Sequence, residues 1–136
     1  MPAMSRLSLA AGLAAVVLAP FACVPLARAA SVLDFDVWMR AIDKRSVAVQ
    51  KSIARRDAVA ARADAQEIER LYALMQTYFV DAGNASDAVQ ISRDGKDLAS
   101  SITGLVDAQD FDGASQAALR IAQACNDCHD AYKPFK

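Results

Sequence analysis

The sequence predicts an all-α fold, an up-down-up-down antiparallel four-helix bundle in one domain. Beyond residue 29 the chain is rich in alanine and has few runs of the β-branched and aromatic residues that favour strands. Its apolar residues instead recur in alternating steps of three and four through four segments, which is the spacing of a helix face packed in a bundle. Only a few residues separate the segments, and short connections make neighbouring helices antiparallel.

The first two predicted helices run from about Val32 to Arg56 and from about Ala58 to Asp81. Asp57 is a suitable N-cap for the second helix, and Gly83 is a suitable stop. The inward positions of the first helix are Val32, Phe35, Met39, Ile42, Ser46, Val49 and Ile53. Those of the second are Ile68, Leu71, Met75, Tyr78 and Ala82, widened by Tyr72 and Phe79.

The last two predicted helices run from about Ser86 to Asp107 and from about Asp112 to Lys133. Gly95 weakens the third helix by roughly 1 kcal/mol relative to alanine; it is either a tolerated defect or a place where a bulky group approaches. The inward positions of the third helix are Ala88, Ile91, Gly95, Leu98, Ile102 and Leu105. Those of the fourth are Ala114, Ala118, Ile121, Cys125, Cys128 and Tyr132.

Near its C-terminus the chain reads Cys125-Asn126-Asp127-Cys128-His129. The pattern C-x-x-C-H is the attachment signal for a c-type haem. Two thiols add to the two vinyl groups of one porphyrin, and the adjacent imidazole binds the iron from one axial side. Residues three and four positions apart share one face of a helix, so these three side chains can hold one flat macrocycle. The sequence therefore predicts one covalently attached haem c with its iron.

Two other uses of the motif are less well supported. A structural zinc ion takes four protein ligands, whereas this cluster offers two cysteines and His129, which is the only histidine of the chain. A thioredoxin-like dithiol is expected beside a βαβ pattern, and the sequence has no strand pattern. No group of catalytic acid, base and nucleophile occurs either, so we do not expect an enzyme.

Residues 1–29 predict a secretory signal peptide, which leaves residues 30–136 as the mature bundle. A basic residue precedes an apolar stretch that ends near Cys23, and residues 27–29 form an A-x-A cleavage pattern. The apolar stretch is short for a membrane-spanning helix, which needs about 20 residues, and Pro20 interrupts it. We therefore expect no membrane anchor in the mature form. Bacteria attach thioether-linked haem outside the cytoplasm, so the predicted location is the periplasm.

Removal of the signal peptide changes the charge and the cysteine content of the chain. Arg6 and Arg28 leave with it and no acidic residue does, so 15 basic residues become 13 against 16 acidic ones, a net charge of −3. Nucleic-acid binding usually needs a basic excess, so we expect no nucleic-acid partner. Cys23 leaves as well, and both remaining cysteines then belong to the haem motif.

A helix bundle with C-x-x-C-H on its last helix resembles the class II c-type cytochromes, the group of cytochrome c prime and its low-spin relatives. The family usually continues the motif as C-x-x-C-H-x-x-Y-[KR], and residues 125–133 match every fixed position. The resemblance implies that Cys125 and Cys128 hold the haem by thioether bonds and that His129 is the proximal iron ligand. It also implies that Tyr132 packs on the proximal side and that Lys133 lies near the haem edge.

The other iron face is the one on which members of the family differ. The family places there a first-helix block similar to Arg-Gln-x-x-Met, and Met39 falls on its methionine position. Phe35 and Asp36 replace the Arg-Gln pair. Low-spin relatives use this methionine as the sixth iron ligand, although without haem Met39 would be taken as a gap-filling core residue. Phe35, Trp38 and Ile42 on the same helix are expected at the haem pocket.

The resemblance implies one of two functions. With Met39 bound to iron, the protein would be an electron carrier that serves periplasmic redox partner proteins. With the sixth site open, it would bind small gases such as nitric oxide or carbon monoxide. A thiol-based role without haem is a third hypothesis. A homodimer through the first two helices remains open, since Ala58, Ala61 and Ala65 would permit close helix contact.

Overall fold

The computed structural model describes residues 29–83 and 85–132, except for the side chains of Cys128 and of residues 130–132. Within this part of the chain the fold is all-helical and contains no strand. Residues 1–28 of the signal peptide predicted for residues 1–29 lie outside it, as does Lys133. No helix in the described ranges is long and apolar enough to cross a membrane. The helices are α1 (Val32–Ala54), α2 (Ala58–Ala82), α3 (Ser86–Asp107) and α4 (Phe111–Tyr132).

Local hydrogen bonds define the ends of α1 and α2. Ser31 caps α1 through a capping box, in which its hydroxyl accepts from the Asp34 backbone N–H at 3.2 Å and the Asp34 carboxylate accepts from the Ser31 backbone N–H at 2.7 Å. The Asp57 carboxylate accepts from the Ala60 backbone N–H at 3.0 Å and caps α2. Gly83 ends α2 in the left-handed region, with φ +73°. The predicted N-cap and the predicted stop are both confirmed.

The four helices pack around one core. Each helix contacts the next along the chain, and α4 also contacts α1. The largest fully buried apolar side chains come from α1 to α4 alike, because each helix turns one apolar face inward. They are Ile42, Val49, Ile68, Leu71, Met75, Ile102, Val106 and Ile121.

The predicted inward faces agree with the structure in α1, in α2 and, as far as Cys125, in α4, with two exceptions at helix ends. Val32 is 51 % exposed at the start of α1, and Ala82 is exposed at the end of α2. In α3 the prediction is confirmed at Ala88, Gly95 and Ile102 and is off by one position at the other three, where Ile91, Leu98 and Leu105 are half-buried and the next residue along the chain is buried instead. Small residues allow a neighbouring helix to approach closely, so they occupy the part of α3 that packs against α2. The buried residues of α3 are Ala88, Ser92, Gly95, Ala99, Ile102 and Val106.

The alanine face of α2 packs against the core of the protein. Ala61 and Ala65 are both fully buried in the core, and Ala58 packs against that core. These residues therefore do not form the free surface that close contact with a second copy would need. The homodimer stays a prediction, but a contact through the first two helices would have to use residues other than Ala61 and Ala65.

Two ion pairs connect α2 to its neighbours. The Arg45 guanidinium on α1 donates to the Asp64 carboxylate on α2 at 2.6 Å, and Asp64 is only 7 % exposed. Arg62 on α2 donates through Nε to Asp107 at the end of α3 at 2.9 Å. A buried carboxylate is costly unless it is paired and hydrogen-bonded. The Arg45–Asp64 pair therefore helps to fix the register of α1 against α2.

Two glycine-to-alanine substitutions should change stability in opposite directions. Gly83→Ala places a Cβ at φ +73°, which should lower the free energy of unfolding by about 1 kcal/mol. Gly104→Ala lies inside α3, where an added Cβ meets nothing within 4 Å, and should raise it by about 0.5–1 kcal/mol. Urea unfolding followed by circular dichroism measures both. Equal effects of the two substitutions would contradict the assigned end of α2.

Candidate functional site

A small cavity lies where side chains from α1 to α4 meet. Its volume is about 20 Å³, which is room for one water molecule. Most of its lining is apolar, with a carboxylate, a phenol, a thiol and an imidazole among the methyl and methylene groups. The lining residues are Met39, Ile42, Asp43, Tyr72, Met75, Ile91, Cys125 and His129.

Three of the four residues predicted to bond to the haem or to its iron line this cavity together. Met39 comes from the second turn of α1, and Cys125 and His129 come from the last three turns of α4. Met39 and Cys125 are half-buried, and His129 is exposed. Because His129 follows Cys125 by one helical turn, both side chains lie on the same side of α4. The helix thus presents a thiol and an imidazole opposite a thioether on α1.

The remaining predicted site residues are distributed differently. Ile42 lines the cavity. Phe35 and Trp38 are not among the described residues that line it. Cys128 and Tyr132 belong to α4 by their backbone, and their side chains lie outside the described part.

Phe35 takes part in an aromatic cluster with two residues of α2. Its ring stacks on Tyr78 with ring centroids 5.2 Å apart and meets Phe79 edge-on at 5.3 Å. Trp38 lines a separate open groove of about 650 Å³, together with Tyr78 and Asp81. Phe35 and Trp38 therefore lie at the interface between α1 and α2, close to the helix turn that carries Met39.

Sequence reasoning missed four residues of the cavity. Met75 and Tyr72 were interpreted as ordinary core residues, and Ile91 as part of the α3 face. Asp43 gave no signal, since an acidic residue on an amphipathic helix is normally solvated. Its place next to Ile42 and one turn after Met39 could have indicated that it borders the same space.

The surroundings of Cys125 shift the pKa of its thiol. Burial raises the pKa of the Cys125 thiol above its ordinary value, because the thiolate is poorly solvated there. A hydrogen bond with the Tyr72 hydroxyl, at 3.7 Å between Oη and Sγ, lowers that pKa and offsets part of this effect. The negative charge of Asp43 raises the pKa further. Cys125 is therefore held as a neutral thiol at neutral pH.

The donor groups that line the cavity are suitable for a c-type haem, whereas the volume of the cavity is too small for one. A thiol for a thioether bond, an imidazole for iron and a soft thioether sulfur opposite them are the groups that such a haem requires. A macrocycle is many times larger than the cavity, so it fits only if the helix ends around Met39 and His129 move apart. The surrounding apolar side chains suit the faces of a porphyrin.

No protein-family model, curated protein sequence or solved structure matches this chain at a significant level. The resemblance to class II c-type cytochromes therefore depends on the motif of residues 125–133 and on the presence of that motif in the last helix of an all-helical fold.

The pH dependence of Cys125 alkylation tests this electrostatic arrangement. In the haem-free chain carrying Cys128→Ser, the iodoacetamide reaction should have a midpoint pH above that of the same chain unfolded in urea, because only the thiolate reacts. Asp43→Asn should lower the midpoint, since it removes a charge that disfavours the thiolate.

Asp112→Asn is the matched control, since Asp112 lies in the first turn of the same helix. It is separated from Cys125 by about 20 Å of helix, which exceeds the screening length in physiological salt. It should leave the midpoint unchanged. A folded-state midpoint at or below the unfolded one would show that the thiol is solvated.

Proposed function

We propose that this chain is an exported c-type haem protein of the class II cytochrome kind, which carries electrons in the periplasm. The observation that carries the proposal is the convergence of Met39, Cys125 and His129 on one cavity. These residues come from opposite ends of the bundle sequence, and sequence reasoning selected them for haem binding without knowledge of how the helices pack. Their meeting is what a haem site at this end of the helices requires.

When bound, the haem supplies an iron that exchanges single electrons. Cys125 and Cys128 would anchor it through thioether bonds, so that it stays in place in both oxidation states. His129 would bind the iron on the proximal side, with Tyr132 packed nearby and Lys133 near the haem edge. Met39 would be the sixth ligand, and its neutral sulfur favours the ferrous state and so raises the reduction potential.

The antiparallel up-down-up-down arrangement belongs to the same proposal. The connections between helices are three residues long at positions 55–57, 83–85 and 108–110. Helices of 22 to 25 residues joined by such short connections pack best against the next helix in the opposite direction. The contact of α4 with α1 supports closure of the bundle.

The predicted export of the chain agrees with the same function. The A-x-A pattern at residues 27–29 would release a mature chain that begins at Ala30. Removal of the signal would also remove Cys23, and the only thiols left would be those of the haem motif. The mature chain would be acidic, which favours redox partner proteins with basic docking surfaces.

Gas binding is the second candidate function. Met39 is half-buried at the margin of the core, so it can leave the iron without opening the centre of the bundle. Ile42 would then face the vacated side, and an apolar pocket of this kind admits nitric oxide or carbon monoxide. Under this alternative Met39 is a packing residue.

Absorption spectra of the purified mature protein test both functions. After export in a host that attaches c-type haem, the oxidised and reduced spectra should be low-spin and indifferent to carbon monoxide, because both axial sites are filled. Met39→Ala should produce a high-spin spectrum that shifts with carbon monoxide.

Met75→Leu is the matched control, since Met75 lines the same cavity from α2. It should keep the low-spin spectrum. A wild-type protein that is high-spin and binds carbon monoxide would favour gas binding. A colourless wild-type protein would exclude both functions.

A further inference from the structure

Tyr72 contacts α3 and α4 at once. It lies on α2 and is 2 % exposed. Its ring packs against Gly95 of α3, where an added Cβ would lie 2.5 to 2.7 Å from the ring atoms Cζ, Cε1 and Cε2. Its hydroxyl oxygen lies 3.7 Å from Sγ of Cys125 on α4. The absence of a side chain at Gly95 thus creates the space that brings the phenol to the thiol.

We infer that Tyr72 is a positioning residue for thioether formation at Cys125. Its ring is held by Gly95, and its hydroxyl keeps Sγ directed into the cavity through a weak hydrogen bond, in which either atom can be the donor. The inference rests on the proposed function, because it concerns the attachment of the haem and names the residues that orient the first of its two anchors.

The step that Tyr72 would assist is an addition. The S–H bond of Cys125 breaks, Sγ bonds to the inner carbon of a haem vinyl group, and the proton goes to the outer carbon. The carbon–carbon double bond becomes a single bond. No electron is gained or lost overall, so the step consumes no oxidant or reductant. The neutral thiol already carries the proton that the product requires.

The expected size of the effect follows from rotamers. A cysteine side chain inside a helix samples mainly two staggered χ1 positions, because the third clashes with the preceding turn, and a thiol directed away from the cavity cannot reach a vinyl group there. Loss of the restraint should therefore slow attachment at Cys125 by up to about twofold. A measurable fraction of chains should then hold the haem through Cys128 alone.

The experiment uses the full chain, exported in a host that attaches c-type haem. Tyr72→Phe removes the hydroxyl and keeps the ring. Gly95→Ala forces the ring to move, although residue 95 does not line the cavity. The matched controls are Tyr78→Phe, a tyrosine of α2 that stacks on Phe35, and Gly104→Ala, a glycine of α3 with nothing near its added Cβ.

Two measurements report on Cys125 itself. The purified proteins are unfolded and treated with iodoacetamide, and peptide mass spectrometry locates any alkylated cysteine. The reduced pyridine haemochrome spectrum counts thioether bonds independently, because a vinyl group left unreacted stays conjugated with the porphyrin and shifts the absorption band. Thermal unfolding shows whether each variant is folded. If Gly95→Ala does not fold, the result for Tyr72→Phe alone tests the inference.

We expect alkylated Cys125 and a shifted haemochrome band in Tyr72→Phe and Gly95→Ala, and neither in the two controls or the wild type. If the wild type holds haem through both cysteines and Tyr72→Phe does the same, the positioning role is wrong and the proposed function stands. A wild type without haem would overturn both. Alkylation at Cys128 instead of Cys125 would also contradict the role.

Discussion

Close packing of apolar helix faces is the interaction on which the other features of this protein depend. Val49, Ile68, Ile102 and Ile121, one from each helix, are almost completely shielded from solvent. Burial of such a side chain contributes about 1.5–3 kcal/mol. Ile42, Tyr72 and Met75 both belong to the core and line the cavity, whereas Met39 and Cys125 lie at the margin of the core. The helix ends around the cavity can therefore vary while the centre holds the fold together.

Much of the fold could be predicted from the sequence because its signals are local. Asp57 and Gly83 act on the backbone of their own helix ends, and the apolar spacing of α1 depends only on the helical repeat. The orientation of α3 could be predicted only in part in this way. Its larger apolar residues suggested one inward face, whereas close approach to α2 favours the neighbouring face of small residues such as Ser92 and Ala99.

The candidate site was predictable in part for a similar reason. The motif that contains Cys125 and His129 is local, and the methionine on α1 could be chosen by its position in the helix. The partnership of Tyr72 with Gly95 could not be predicted, because it depends on the rotation of two helices about their axes. From the sequence alone, Gly95 could be interpreted either as a tolerated helix defect or as a place where a bulky group approaches. The size of the cavity likewise depends on how side chains from different helices meet.

The contact between the ends of α1 and α4 has a mechanical consequence. The Arg56 guanidinium lies 5.5 Å from the centroid of the Phe111 ring, which joins the α1–α2 connection to the start of α4. Met39 and His129 lie several turns from this contact along their own helices. If α1 and α4 separate at the cavity while this contact holds, the motion is a rotation about the contact, and the core contacts nearest to it change least. The proposed cofactor would then require only the cavity end of the helices to open.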